Sequence, residues 1–192
     1  MSVESQMRTR RIKVMEKVQE VIETPLSGEE LGMRYRDLCE DRRFANLPGK
    51  IELDLWGRIL MSPASNYHSA VQTALSARLG ALGGRAFVEA SVLTPTAVLV
   101  ADVAWASADF MRAHGFETPF SRAPEVCVEV ASPSNSRKEL AEKIGAYLGA
   151  GAEEVWIIYP LSKRCEFHGA QGSLPRSRHA VDLAGILDDL LV

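Results

Sequence analysis

The chain has few cysteines, no excess of positive charge and no long hydrophobic run, and each shortage argues against a class of protein. Its 192 residues contain three cysteines, Cys39, Cys127 and Cys165, which are odd in number and lack CxxC spacing. This pattern disfavours a disulfide scaffold or a zinc knuckle and predicts a reducing, cytoplasmic location. The net charge is −3, so any contact with nucleic acid must come from local basic patches.

Several signatures of membrane insertion or of familiar enzyme classes are also missing. The most apolar stretch, residues 91–106, is interrupted by Pro95 and Asp102 and is too short for a membrane span. The charged N-terminal segment has no apolar core, so we expect no signal peptide. The sequence contains no Gly-rich phosphate-binding loop, no HExxH zinc motif and no GxSxG nucleophile elbow. With 46% hydrophobic residues, the composition predicts a soluble globular protein.

The hydrophobic periodicity predicts one α/β domain, residues 26–192, preceded by a helical extension, residues 1–25. An amphipathic helix with a basic start is predicted over 8–23. In the domain, helical spacing predicts helices, and alternating or continuous apolar runs predict strands. The predicted helices cover 28–40, 66–82, 108–114, 137–148 and 183–192, and the predicted strands cover 51–55, 58–61, 86–90, 97–106, 125–131, 154–159 and 164–168.

Two acidic residues lie inside runs that otherwise predict buried strands. Asp102 lies in VLVADVAWA, and Glu129 lies in EVCVEVA. A buried carboxylate is costly unless it is paired or binds a cation. The pair therefore indicates a divalent-metal site, although a salt bridge or an exposed strand end is the alternative for each acid.

The helix predicted after Glu129 brings a lysine to the same region. Ser136 and Glu139 form a predicted capping box at its start. On a helical wheel Lys143 lies beside the apolar stripe, so its ammonium can reach the strand ends. The alternative is an ordinary salt bridge between Lys143 and Glu139, one turn earlier. Two carboxylates and a lysine would suit phosphodiester hydrolysis, because Mg²⁺ binds hard oxygen ligands and activates water.

Several segments occur in a characteristic order. They are IELDLWGRILMSPASNYH at 51–68, Asp102, EVASPSNS at 129–136, the spacing Glu139-x-x-x-Lys143-x-x-x-Tyr147, and EEVWIIYP at 153–160. This order resembles the Uma-two family of restriction-endonuclease-like proteins, which belong to the PD-(D/E)XK nuclease superfamily. The resemblance runs from about residue 26 to at least residue 160. It implies a restriction-endonuclease-like α/β fold in which helices flank a central mixed β-sheet.

The resemblance also implies roles for individual residues. Asp102 and Glu129 match the two metal-binding acids, and Glu52 matches an upstream acid that would be a third ligand of the metal or of water. Ala131 stands where the motif usually has its lysine, so the catalytic lysine is implied to be Lys143. For Glu52, which alternates with apolar neighbours, a solvent-facing strand position is the alternative.

The activity that the resemblance implies is Mg²⁺- or Mn²⁺-dependent endonuclease cleavage of duplex DNA, with a homodimer cutting both strands. His68 matches a family position and is either a catalytic or a core histidine. Ala101 replaces the proline that usually precedes the first acid. The alternatives are a non-catalytic nucleic-acid-binding or regulatory protein on the same scaffold, and a small-molecule enzyme with a narrow pocket. The residues expected to hold the DNA backbone are Arg42, Arg43, Arg137 and Lys138.

Overall fold

In the computed structural model of the chain, residues 24–44, 49–62 and 65–189 are described. The helix predicted over 8–23 lies outside these ranges, so this helix and the predicted N-terminal extension stay predictions. The elements in chain order are α1 (Gly28–Glu40), β1 (Lys50–Leu53), β2 (Ile59–Ser62), α2 (Asn66–Gly80), β3 (Arg85–Thr94), β4 (Ala97–Ala106), α3 (Ala108–His114), β5 (Val126–Val130), α4 (Arg137–Gly149), β6 (Glu154–Tyr159), a 3-10 turn (Pro160–Ser162), β7 (Arg164–Gly169), β8 (Gly172–Leu174) and α5 (Leu183–Asp189).

Capping side chains explain where two of the helices begin. At the start of α1 the Ser27 hydroxyl accepts a hydrogen bond from the Glu30 N–H at 3.3 Å, and the Glu30 carboxylate accepts one from the Ser27 N–H at 2.8 Å. Ser136 and Glu139 make the same reciprocal pair at the start of α4, at 3.2 and 2.7 Å. Each pair satisfies two N–H groups that the helix leaves free. The capping box predicted at each of these positions is confirmed.

Most elements lie within a residue or two of their predicted bounds, and four of them, α1, β4, α3 and β6, coincide with them. The largest difference is β3, which was predicted to end at residue 90 but continues to Thr94. It does so because Thr94 pairs with Ala97 in a tight hairpin with β4, so the intervening Pro95 and Thr96 form its turn. The three-residue strand β8 was not predicted. None of the helices in the described part of the chain is long and apolar enough to cross a lipid bilayer.

The described strands form one mixed sheet. Their order is β2-β1-β4-β5-β6-β7-β8, and β3 pairs with β4 outside this path. Strands β5 and β6 are parallel and are connected through α4, whereas the other pairs are antiparallel. Because β3 pairs along the whole length of β4 on one edge, β1 and β5 must share its other edge. This shared edge positions the candidate site.

Alternate residues of the central strands pack on opposite faces of the sheet, as strand geometry requires. Val128 and Trp156 join a core cluster with side chains of α2 and α5. Cys127 and Ile157 join a second cluster with Tyr147 of α4. The expected α/β architecture, a mixed sheet with helices on both faces, is therefore confirmed.

Candidate active site

The candidate site fills an opening along one edge of β4. Strand β1 pairs with β4 at Leu53 and Val98, and β5 pairs with it only from Val103 onward. Residues 99–102 of β4 thus have no strand partner on that edge within the described sheet. The backbone N–H and C=O groups of these residues are buried without a strand partner on this edge, so they need other hydrogen-bond partners.

Two side chains from β1 supply those partners. The Glu52 carboxylate accepts a hydrogen bond from the Val100 N–H at 2.9 Å. The Lys50 ammonium donates to the carbonyl oxygen of Val100, also at 2.9 Å. Lys50 and Glu52 are two residues apart on one strand, so their side chains point the same way. An acid and a base are thereby fixed in the opening by the backbone of β4.

Strand β4 is also distorted at the first predicted metal ligand, Asp102. Ala101 and Ala104 pack in the same core cluster, although residues three apart on a regular strand point to opposite faces. On β3, the residue across from Asp102 is Glu89, whose φ is +56°. The neighbouring residues pair across the two strands, Val88 with Val103 and Ala90 with Ala101, but Glu89 and Asp102 do not pair. A non-glycine residue held at positive φ is strained, and proteins concentrate such strain at functional sites.

The three acids predicted as metal ligands are buried and close together. The exposed fractions of Glu52, Asp102 and Glu129 are 6%, 2% and 5%. Their oxygens converge on the Nζ of Lys50, which lies 2.9 Å from Asp102, 3.6 Å from Glu129 and 3.9 Å from Glu52. The solvent-facing alternative for Glu52 is therefore wrong, because its carboxylate is buried in the opening beside β4.

Lys143 reaches the same cluster from α4. Its Nζ lies 2.9 Å from Oε1 of Glu52 and 3.1 Å from Oε2 of Glu129. The alternative pairing with Glu139 is wrong, because the Glu139 carboxylate accepts from the Ser136 backbone at the helix start. Lys143 thus bridges two acids that come from different strands.

Besides Lys50, the Asp102 carboxylate has a backbone N–H, a histidine and an amide as partners. Oδ2 of Asp102 accepts from the Val130 N–H at 2.8 Å, and its Oδ1 lies 3.2 Å from Nε2 of the half-buried His68. Gln72, one helical turn after His68, donates to the same Oδ1 at 3.3 Å. Helix α2 therefore supports Asp102 with two side chains, and His68 is directly at the site.

Three residues of the cluster were not assigned a role from the sequence. Lys50 lies just before the strand predicted over 51–55, although its spacing of two residues from Glu52 predicts the same strand face. Gln72 lies four residues after His68 on a helix, which is the spacing of side chains on one face. Tyr147 lies one turn after Lys143 and donates its hydroxyl to Oε1 of Glu129 at 2.7 Å. In each case the spacing of residues within one strand or helix was the feature of the sequence that could have identified the residue.

Burial and charge shift the pKa values of the cluster in different directions. Burial raises the pKa of Glu129 above its usual value against the opposing charges of the two lysines. Burial also acts to raise the pKa of Asp102, but the hydrogen bond from His68 and the charge of Lys50 outweigh it and hold that pKa well below its usual range. Burial acts to lower the pKa of Lys50, but the three carboxylates hold it above its usual value. Lys50 is therefore a cation at neutral pH.

A hard divalent cation fits the chemistry of this donor set. Carboxylate oxygens are the ligands that Mg²⁺ and Mn²⁺ prefer, and the three acids already surround one positive charge, the Lys50 ammonium. Within residues 24–44, 49–62 and 65–189, no group of three or more His, Cys, Asp or Glu side chains is spaced to hold a metal as it stands. Lys50 stands among the three acids instead.

The basic residues expected to hold DNA are mostly exposed, but two of them have acidic neighbours. Arg43 pairs with Asp41, and Lys138 lies 3.7 Å from Glu142 on the same helix. Arg42 and Arg137 are exposed. Any electrostatic attraction of a nucleic acid by this group is accordingly weaker than four free cations would give.

Comparisons with known proteins identify the family and the fold. The sequence model of the family described as "Uma2: Putative restriction endonuclease" matches residues 34–183. A crystal structure described as "a putative nuclease belonging to DUF820 from Anabaena variabilis ATCC 29413" is similar with a TM-score of 0.59 and 20% sequence identity, covering 86% of this chain and 97% of that chain. This likeness shows a shared fold. No curated protein matches the chain.

Proposed function

This chain belongs to the Uma2 family, and we propose that it is a metal-dependent endonuclease that hydrolyses phosphodiester bonds of duplex DNA. The family description names a restriction endonuclease, and the similar crystal structure is described as a nuclease. The observation that carries the proposal is the convergence of Glu52, Asp102 and Glu129 in one opening of the sheet. Three buried acids at a single point are costly unless cations offset them, and the two lysines of the cluster offset two of the three charges.

In the proposed site the three carboxylates hold the metal. When bound, the metal supplies Lewis-acid stabilisation of the phosphoryl oxygen and a more acidic water. Asp102 is held in place by the Val130 N–H, and Glu129 by the Tyr147 hydroxyl. Because these supports come from a strand and a packed helix, the ligand oxygens are preorganised.

Lys143 orients the attacking water and offsets negative charge that develops on the phosphate. Its ammonium is anchored to Glu52 and Glu129, and its side chain is 20% exposed, so it stands between the buried acids and solvent. It thus takes the part that the motif lysine plays two residues after the second acid, where this chain has Ala131.

The proposal extends to the partner and the compartment. A homodimer would place two such sites on the two strands of a duplex. The three cysteines, all within the described residues, are unpaired, which supports a reducing cytoplasm as the compartment. Exposed Arg42 and Arg137 are the first candidates for phosphate contacts.

Cleavage of supercoiled and linear DNA in Mg²⁺ or Mn²⁺ tests the activity. We expect EDTA to abolish cleavage and Asp102→Asn, Glu129→Gln and Lys143→Met each to reduce its rate by roughly 100-fold or more. These variants conserve shape and remove charge, so folding is disturbed less than by alanine. Circular dichroism of each variant verifies the fold.

The matched controls are charged side chains outside the site and outside the group expected to hold DNA. Lys163→Met and Glu142→Gln remove the same charges from side chains that are 48% and 65% exposed, and we expect cleavage within about twofold of the wild type. Equal cleavage by wild type and Asp102→Asn would assign the activity to a contaminant or another site. No cleavage under any metal would favour the non-catalytic, nucleic-acid-binding alternative.

A further inference from the structure

Lys50 occupies the point at which the three candidate ligands meet. Among the described residues it is the only cationic side chain that lies within 4 Å of all three acids. Lys143 contacts Glu52 and Glu129 but not Asp102. The two lysines therefore differ in place: one is central to the cluster and the other is at its side.

The contacts of Lys50 are those of a bound cation. Its Nζ is 2.9 Å from both Oδ1 of Asp102 and the carbonyl oxygen of Val100, and its side chain is only 12% exposed. Those two oxygens accept its hydrogen bonds, and the two glutamates add charge attraction from farther away. An ammonium so placed satisfies oxygens that a hard metal ion would otherwise coordinate.

The charge balance of the cluster leaves room for one cation at this point. When all three carboxylates are ionised, as metal ligands must be, and His68 is neutral, the acids and the two lysines sum to −1. Adding a divalent ion while Lys50 stays would give +1 in a buried site and would crowd two cations onto Oδ1 of Asp102. Replacing the Lys50 ammonium by the divalent ion instead gives zero. Charge and space both favour exchange over addition.

Space for the displaced side chain exists next to it. A cavity of about 200 Å³ lies beside Lys50 and is lined by Tyr35, Gly49, Glu89 and Val100, among others. Lys50 is the first residue of β1 and pairs with Ser62 of β2 through its backbone, so rotation of its side chain leaves that pairing intact. The Glu89 carboxylate in the lining offers a new neighbour for the ammonium.

We propose that Lys50 is an internal substitute for the metal: its ammonium holds the three acids together in the metal-free protein and leaves the cluster when a divalent cation enters. This inference rests on the metal site of the proposed function. It makes Lys50 a positioning residue that sets the affinity for metal. The cluster then has two states: one with the Lys50 ammonium between the acids and one with the divalent cation between them.

Binding of Mn²⁺ to the full chain without DNA, measured by calorimetry, tests the exchange. We expect Lys50→Met to tighten Mn²⁺ binding at least about tenfold, because the competing cation is gone. Lys143→Met is the matched control, since it removes the same charge from a lysine that contacts two of the same acids. We expect its effect to be at least about fivefold smaller than that of Lys50→Met. Equal tightening by both variants would reduce the effect to net charge and overturn the exchange.

Thermal unfolding gives an independent readout. In EDTA we expect Lys50→Met to melt below Lys143→Met, and saturating Mn²⁺ to raise its melting temperature more than that of the wild type. Should Lys50→Met not fold, Lys50→Gln keeps a donor for the Val100 carbonyl without the charge, and the same tighter binding is expected.

The proposed metal site and the proposed exchange can be disproved separately. If neither the wild type nor any Lys50 variant binds Mn²⁺, the metal site of the proposed function is absent and the exchange falls with it. If the wild type binds Mn²⁺ and both Lys50 variants bind it equally or more weakly, only the exchange is overturned, and Lys50 is then a support for the ligands.

Discussion

The hydroxyl of Tyr147 donates a 2.7 Å hydrogen bond to Oε1 of Glu129, across 18 residues of chain. Tyr147 is fully buried and lies one helical turn after Lys143 on α4. The same helix thus holds both oxygens of Glu129, one through a hydroxyl and one through an ammonium. The orientation of this candidate ligand is consequently set by the packing of α4 against the sheet.

Replacing Tyr147 with phenylalanine therefore tests the support of Glu129. The change leaves a buried carboxylate oxygen without its donor, so we expect a loss of about 1–3 kcal/mol in the free energy of unfolding. Denaturant titration measures it. We also expect weaker Mn²⁺ binding, because Glu129 is freer to rotate.

Tyr67→Phe is the control for this experiment. The Tyr67 hydroxyl is buried and has no hydrogen-bond partner among the described residues, so its removal should change stability by less than about 0.5 kcal/mol or increase it slightly. A similar loss in both variants would mean that the bond from Tyr147 to Glu129 contributes nothing specific.

Two substitutions of Glu52 separate its structural part from its proposed metal-binding part. The side-chain oxygen of Glu52→Gln can still accept from the Val100 N–H, so we expect near-native stability but roughly tenfold weaker Mn²⁺ binding. Glu52→Ala also leaves the buried Val100 N–H unpaired and should cost about 1–3 kcal/mol more in unfolding free energy. Calorimetry and denaturant titration measure the two effects. Unchanged Mn²⁺ binding by Glu52→Gln would limit Glu52 to closing the sheet.

The sequence was sufficient to predict the features that follow from the periodicity of a single strand or helix. The alternation in EVCVEVA predicted that Glu129 and Cys127 would share a face, and both point towards α4. The capping residue Ser136 fixed the start of α4 and hence the turn on which Lys143 lies. Together, these two features were enough to predict that Lys143 lies close to Glu129.

The sequence could not predict contacts that depend on how strands share an edge. Lys50 meets Asp102 across 52 residues only because β1 and β5 divide one edge of β4. The same opening buries Glu52, which an isolated strand of alternating acids would expose to solvent. Periodicity describes one element at a time, so an opening between two elements leaves no local pattern.

A fourth buried acid, Glu154, lies outside the cluster and predicts how stability depends on pH. Burial acts to raise the pKa of Glu154, but hydrogen bonds from the Arg178 N–H, the Ser177 hydroxyl and the Trp156 indole outweigh it and lower that pKa. A lowered pKa contributes stability above the usual value of 4.5, and this contribution is lost as the pH falls below it. Glu154→Gln should thus cost about 1–3 kcal/mol at pH 7.

The difference between wild type and Glu154→Gln should shrink between about pH 5 and pH 3, because only the wild type loses stability through this group. Melting temperatures across this range measure the trend. Glu153→Gln, at the exposed neighbouring position, should follow the wild-type curve. Parallel curves for wild type and Glu154→Gln would show that the hydrogen bonds do not depend on the ionised carboxylate.

Removing the metal should lower stability if the three acids bind it in the folded state only. At a free Mn²⁺ concentration 100 times the dissociation constant, we expect a gain of about 2.7 kcal/mol in the free energy of unfolding over EDTA. Asp102→Asn keeps the side-chain shape but removes a charged ligand, so most of that gain should disappear, whereas Asp109→Asn, at a position 82% exposed, should retain it. Because Lys50 and Lys143 already neutralise part of the cluster, the protein in EDTA should still be folded, and circular dichroism checks this. Equal stabilisation of wild type and Asp102→Asn by Mn²⁺ would place the bound ion away from Asp102.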